Sequence, residues 1–340
     1  MQWTAAQYSL AGDIMDKQHA GRVEWIDAAK GIGIILVVIG HTLRGLETAD
    51  VLSFEGDFGE VDEAIYSFHM PLMFFLSGLF IHKALPQSWF RYILKQAQRL
   101  VWPLVLWTYI FFLCKIVAGG AANNTVGWQS FPFIPLPPKA HFWFLWALFL
   151  GFLIIKGVYT LGTVFKIQRL SWPLVAAASL AFLLFWQSCG LYSPWVQQTF
   201  VYLPYILAGM SLRLLLFTNP LFIFIASLGG YLITLFTPLG GIAALHSFGV
   251  GVTISIAIVS VLAIISKYIT WAWLLDIGRA SMAIYLSHTI VSASARSLLL
   301  AVHVSDLVLH IVLGIFLGIL VPMVAFRLIK DERTLKIIGW

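Results

Sequence analysis

The chain has 340 residues, 60% of them hydrophobic and only 11% charged, with a formal net charge of +6. A soluble domain carries roughly a quarter charged residues, so this composition excludes a water-soluble globule and describes an all-α, polytopic integral membrane protein. The positive balance reads as loop topology rather than nucleic-acid binding, because Lys and Arg collect in the cytoplasmic loops of such proteins.

In chain order, the first twenty residues lack the apolar core of a cleavable signal, so residues 1–24 are expected to be a cytoplasmic tail. Apolar runs follow near residues 27–44, 64–82, 101–118, 142–158, 172–188, 199–216, 220–236, 247–266, 280–300 and 307–327. They predict one membrane domain of about ten helices over residues 25–330, because ~20 apolar residues span the hydrocarbon core. Residues 331–340 are expected to be a second cytoplasmic tail. The connection 45–63 holds seven acids and no cation, and reads as a solvated outer loop. The next connection holds Lys83, Arg91, Lys95 and Arg99 and no acid. The bias toward positive inner loops then puts both termini in the cytoplasm and the His41 end of the first helix outside, in a bacterial inner membrane. Arg44, Lys139 and Arg296 are exceptions on the outer side.

Asp27, Lys30 and His41 share one face of the first helix, with Lys30 and His41 separated by roughly 16 Å of rise. Ionisable groups at membrane depth face a bundle interior, a partner or water. Asp27 and Lys30 read either as a structural pair or as site residues. His41, beside Arg44, is a candidate general base, since imidazole titrates near neutrality. In the ninth span Ser281, Tyr285, His288, Ser292 and Arg296 recur at helical spacing and predict a polar interior stripe. His69 and His141 stand at helix starts, as interfacial or as site residues. Neither Cys114 nor Cys189 belongs to a metal or disulfide pattern, and no metal site is expected.

WIDAAKGIGIILVVIGH followed by FHMPLMFFLSGLF resembles the acyltransferase family 3 of membrane-bound O-acyltransferases, in its fucose-4-O-acetylase-like branch. The first motif is matched by Asp27, Lys30 and His41, and the second by Phe68, His69, Pro71, Phe74, Phe75, Ser77 and Gly78. HFWFLWALF, with His141 and Trp143, and SMAIYLSHT, with Ser281, Tyr285 and His288, are similar to two later family motifs. Lys30 stands where arginine is commonest, and Gln96 replaces the first member of an Arg-x-x-Arg pair of which Arg99 remains.

The resemblance implies transfer of an acyl group, foremost acetyl, from cytoplasmic acyl-CoA to a hydroxyl of a bacterial polysaccharide or its lipid-linked precursor. His41 would be the base, with Arg44, Lys30 and Asp27 beside it in the catalytic set. Arg91, Lys95 and Arg99 would meet the donor's phosphates. His69, Ser77, His141, Trp143, Tyr285, His288 and Arg296 would line the cavity or acceptor side. Acetyl-CoA enters as a substrate, with no permanently bound cofactor, and direct transfer and an acyl-histidine intermediate both stay open. The rival reading is a transporter or exporter of a glycan or small anion along the same polar stripes. A structural subunit of a synthase is a third, and it leaves His41 idle.

Overall fold

The computed structural model describes residues 24–54, 56–121, 127–130, 134–166, 193–236, 243–265 and 271–340. The span expected near 172–188 and nearly all of the tail expected over 1–24 lie outside the described residues. Within them the regular structure is entirely helical. Twelve α-helices are used as labels: α1 Glu24–Glu47, α2 Asp57–Gly78, α3 Trp89–Gln96, α4 Trp102–Ala118, α5 Trp143–Val164, α6 Gln197–Thr218, α7 Pro220–Phe236, α8 Ala243–Ile265, α9 Ala272–Arg279, α10 Ser281–Ala301, α11 Leu307–Leu328 and α12 Glu332–Ile338. Among the described residues, six helices are long and apolar enough to cross a membrane. These are α1, α2 with its C-terminal turn, the continuous Trp89–Ala118, α5 with its preceding turn, α6 and α11. α7 and α8 contain shorter apolar segments.

The centre of the bundle is α1, which packs against α2, α8, α9, α10 and α11. That explains its composition. Ile34, Val37, Val38 and Leu43 are buried, and a helix apolar on most of its circumference must be surrounded by others. α2 and α6 cross with their backbones nearly touching. A Cβ on Gly78 would meet the carbonyl of Ile206, and one on Gly209 would meet the carbonyl of Phe75. Small residues at such crossings let dispersion contacts form along both helices, which is the main attraction available in lipid.

Two features correct the boundaries read from the sequence. α2 begins at Asp57, so the second half of the acidic connection is helix and not loop. Between α3 and α4 lies a π-turn, Ala97–Val101, which contains Arg99. Within residues 331–340, Glu332–Ile338 form α12, capped at its start by Asp331, which accepts from the Thr334 amide at 2.8 Å. It docks on the start of α4. Trp102 and Trp107 each donate from Nε1 at 2.7 Å, to the carbonyls of Ile337 and Ile338 respectively. Trp340 stacks on Trp107, with ring centres 6.0 Å apart.

Lys156 of α5 is buried and donates to the carbonyls of Leu85 and Gln87 at 2.6 and 2.8 Å. The turn before α3 is thereby tied to α5, as is Tyr92, whose hydroxyl donates to the Phe152 carbonyl at 2.9 Å. Replacing Lys156 with methionine keeps the volume but strips both carbonyls of their donor. Hydrogen bonds to a charged group contribute ~1.5–3 kcal/mol each, so a loss of about 3 kcal/mol is expected. Thermal unfolding of the purified protein in detergent measures it, and arginine at this position is expected to retain much of the stability.

Candidate active site

At one end of the bundle, α1, α2, α10 and the turn before α5 line a partly open cavity of about 130 Å³. It is lined by Val37, His41 and Arg44 from α1, Tyr66, His69 and Met70 from α2, Ala140, His141 and Trp143 from the turn and α5, and Tyr285 from α10.

Two of the lining imidazoles, His41 and His141, form a triangle with a third, His288, which is itself outside the lining. The ring centres of His41 and His141 lie 5.6 Å apart, and His288 is 5.2 Å from each. His288 is fully buried and His141 nearly so. His288 Nδ1 sits 2.8 Å from the Ile284 carbonyl and 2.9 Å from the Tyr285 carbonyl. A carbonyl only accepts, so Nδ1 carries the hydrogen and Nε2 presents a lone pair. His69 has the same tautomer, since its Nδ1 is 2.7 Å from the Ile65 carbonyl. The Nε2 atoms of His141 and His288 are both buried without a hydrogen-bond partner. The Tyr285 hydroxyl donates to the His141 carbonyl, which pins the turn carrying that ring. Ala140, just before it, has φ 50°, in the left-handed region that costs a non-glycine residue free energy.

Arg44 is fixed from two sides. Its Nε and one terminal nitrogen reach the Asp62 carboxylate at 3.0 and 2.8 Å, a two-point pairing. Its guanidinium carbon lies 3.2 Å from the centre of the Tyr66 ring. Asp62 and Tyr66 are absent from the candidates read off the sequence. Asp62, Tyr66 and His69 follow the i, i+4, i+7 rule on α2, and that signal becomes readable only once α2 is known to start at Asp57. Trp143 extends the wall as a stack, with Tyr202 5.3 Å from it and Phe74 4.5 Å beyond Tyr202.

The structure thus brings His41, Arg44, His69, His141, Trp143, Tyr285 and His288 together. Arg296 is buried two turns beyond His288 on α10, against Gly45 of α1. Ser77 donates to the Met73 carbonyl of its own helix at 2.8 Å and is not in the cavity lining. Asp27 and Lys30 lie at the opposite end of α1, with Ile34, Val37 and Val38 packed between them and His41. There Asp27 is buried, 3.7 Å from Lys30 and 3.9 Å from Arg279. Asp276 pairs with both Arg279 and Arg327, so α1, α9 and α11 meet in one ionic cluster. Arg279 is a further residue the sequence reading did not single out. Arg91, Lys95 and Arg99 are exposed along α3 and the π-turn, at a spacing of four residues. Among the described residues no group of three or more His, Cys, Asp or Glu side chains is placed to hold a metal ion.

Comparison with known proteins bears on this arrangement. The family model described as an acyltransferase domain matches residues 23–327. The chain is 30% identical to the nodulation protein NolL of Mesorhizobium japonicum over 161 residues, 46% of this chain and 39% of the relative. It is 33% identical to the nodulation protein NolL of Sinorhizobium fredii over 132 residues, 38% of this chain and 35% of the relative. The chain therefore matches well under half the length of each of these relatives. No solved structure matches it.

Proposed function

The chain belongs to the acyltransferase-domain family, and from that premise we propose that it transfers an acetyl group from cytoplasmic acetyl-CoA to a hydroxyl of a bacterial cell-surface or exported polysaccharide, or of its lipid-linked precursor. The observation that carries this reading is the gathering of His41, His69 and His141 from two helices and a turn at one cavity, with His288 of α10 packed against two of these rings. An alcohol is a poor nucleophile at neutral pH, and a positioned imidazole is the usual remedy.

In this scheme the glycan stays at the outer face and only one hydroxyl and the acyl group enter. His41 takes the hydroxyl proton as the oxygen bonds to the thioester carbon. The tetrahedral intermediate collapses, the carbon–sulfur bond breaks, and the proton passes from His41 to the departing thiolate. Arg44 is positioned to meet the oxyanion with the terminal nitrogen that Asp62 does not engage. Trp143 and Tyr285 shape the acceptor side. At the other end of α1 two cationic groups are available to coenzyme A phosphates, namely Arg91, Lys95 and Arg99 on the surface, and Lys30 with Arg279 and Arg327. The positive-inside bias assigns that end, and both termini, to the cytoplasm of a multi-pass inner-membrane protein.

Radiolabelled acetyl-CoA confined inside sealed vesicles of the host membrane provides the test. Label is expected on the glycan at the outer face, and the host's extracted polysaccharide is expected to lose acetyl esters in its mass spectrum when the protein is deleted. An unchanged spectrum in the deletion strain overturns the reading.

A further inference from the structure

We propose that His288 is the positioning residue for His41: its Nε2 lone pair accepts from the His41 ring and holds that ring as it gains the acceptor's proton. This rests on the reading of His41 as the base and adds to it the group through which that base works.

The argument starts from the tautomer. Two helix carbonyls of α10 claim the Nδ1 hydrogen of His288 at 2.8 and 2.9 Å, so the opposite nitrogen can only accept. That nitrogen is buried and has no partner. A buried acceptor left unmade is costly, and such an orphan in a functional region calls for a donor. Two rings stand near enough to supply one, those of His41 and His141. At 5.2 Å between centres, one N–H···N bond forms when two rings turn their edges together. His41 is the one of the two that changes protonation in the reaction. Once it becomes imidazolium it carries two N–H groups. One faces the reacting oxygen or sulfur, and the second needs a neutral, fixed acceptor. His288 supplies that acceptor from a helix whose own hydrogen bonds forbid the ring to rotate. No proton leaves His41 toward His288. The hydroxyl proton still passes to His41 and from there to the thiolate, so the balance of the transfer step is unchanged.

Two substitutions divide the ring between its ends. In His288→Gln the amide carries an acceptor near the Nε2 position, and in His288→Asn the amide reaches only the Nδ1 position, where it keeps the contact to the helix carbonyls. The probe is radiolabelled acetyl-CoA, with the host's purified polysaccharide freed of esters by mild base as acceptor. His288→Asn is expected to lower kcat about 10- to 100-fold, the worth of one hydrogen bond to a charged group, with the KM for acetyl-CoA within about twofold of the parent. His288→Gln is expected to recover most of that loss. On a His41→Ala background, His288→Asn is expected to change the residual rate by less than about twofold, because the two residues act as a unit. If asparagine is as active as the parent, or glutamine is the slower of the two, His288 is a helix anchor only and the proposal falls while His41 keeps its role. A His41→Ala protein with full activity removes both.

Discussion

Replacing His41 with alanine is expected to slow acyl transfer about 10²- to 10⁴-fold, the range that a positioned general base contributes. The protein is expected to fold normally, because His41 borders a cavity and its truncation enlarges an existing space rather than opening one in packed core. Acetyl esters on the extracted glycan measure the loss, and an unchanged elution profile in detergent reports the fold. The same variant separates the transport reading. Acetylation lost while glycan still reaches the surface supports transferase chemistry, whereas fully acetylated glycan trapped inside supports export.

Gly209→Leu is expected to abolish stable folding. The Cβ of any larger residue would occupy the space of the Phe75 carbonyl across the α2–α6 crossing, and the reciprocal contact at Gly78 prevents the helices from sliding to compensate. Ordinary overpacking costs ~1–3 kcal/mol, and here the obstacle is backbone, so about 3 kcal/mol or more is expected. The measurement is the yield of monodisperse protein and its thermal midpoint. Gly229→Ala serves as the control, since a Cβ there meets nothing within 4 Å. Removing a helix-interior glycine on an open face is expected to be neutral or to stabilise by about 0.5–1 kcal/mol.

Much of this architecture is written in hydrophobic runs. The expected first, sixth and tenth spans correspond closely to α1, α6 and α11, because a long apolar segment bounded by loop charges has few alternatives in a membrane. The expected third span missed its N-terminal extension. Arg91, Lys95, Gln96 and Arg99 are too polar to score as membrane-crossing, yet they continue the same helical path through α3 and the π-turn. The start of α2 was hidden for the opposite reason. Asp57, Glu60 and Asp62 look like solvent, and only tertiary structure makes Asp62 a buried partner for Arg44. Within the site, the stripe on α10 was legible because Tyr285, His288 and Ser292 keep helical spacing on one helix. That His41 and His141 would share a space with His288 came from the family resemblance and not from periodicity. They come from segments about 100 and 147 residues apart in sequence, and helical periodicity carries no information about which faces meet. The grouping of Asp27 and Lys30 with His41 reflects a shared helix face, whereas their distance along the axis puts them in a different part of the bundle.

On the proposed reading, the pairing of Arg44 with Asp62 has a consequence for the kind of guest the cavity favours. Arg44 is the charged side chain in the described lining, and it arrives with its counter-ion already in place and an aromatic face against it. The combined field a short distance away is close to that of a dipole, so a phosphate or carboxylate entering from water gains little attraction that would repay its desolvation, whereas an oxyanion formed in place can still take a hydrogen bond from the terminal nitrogen that Asp62 leaves open. Uncharged ring alcohols lose less on entry and find imidazole nitrogens waiting for them. On that reading, discrimination at this gate would work through hydrogen-bond geometry and fit, and added electrolyte would have little purchase on it.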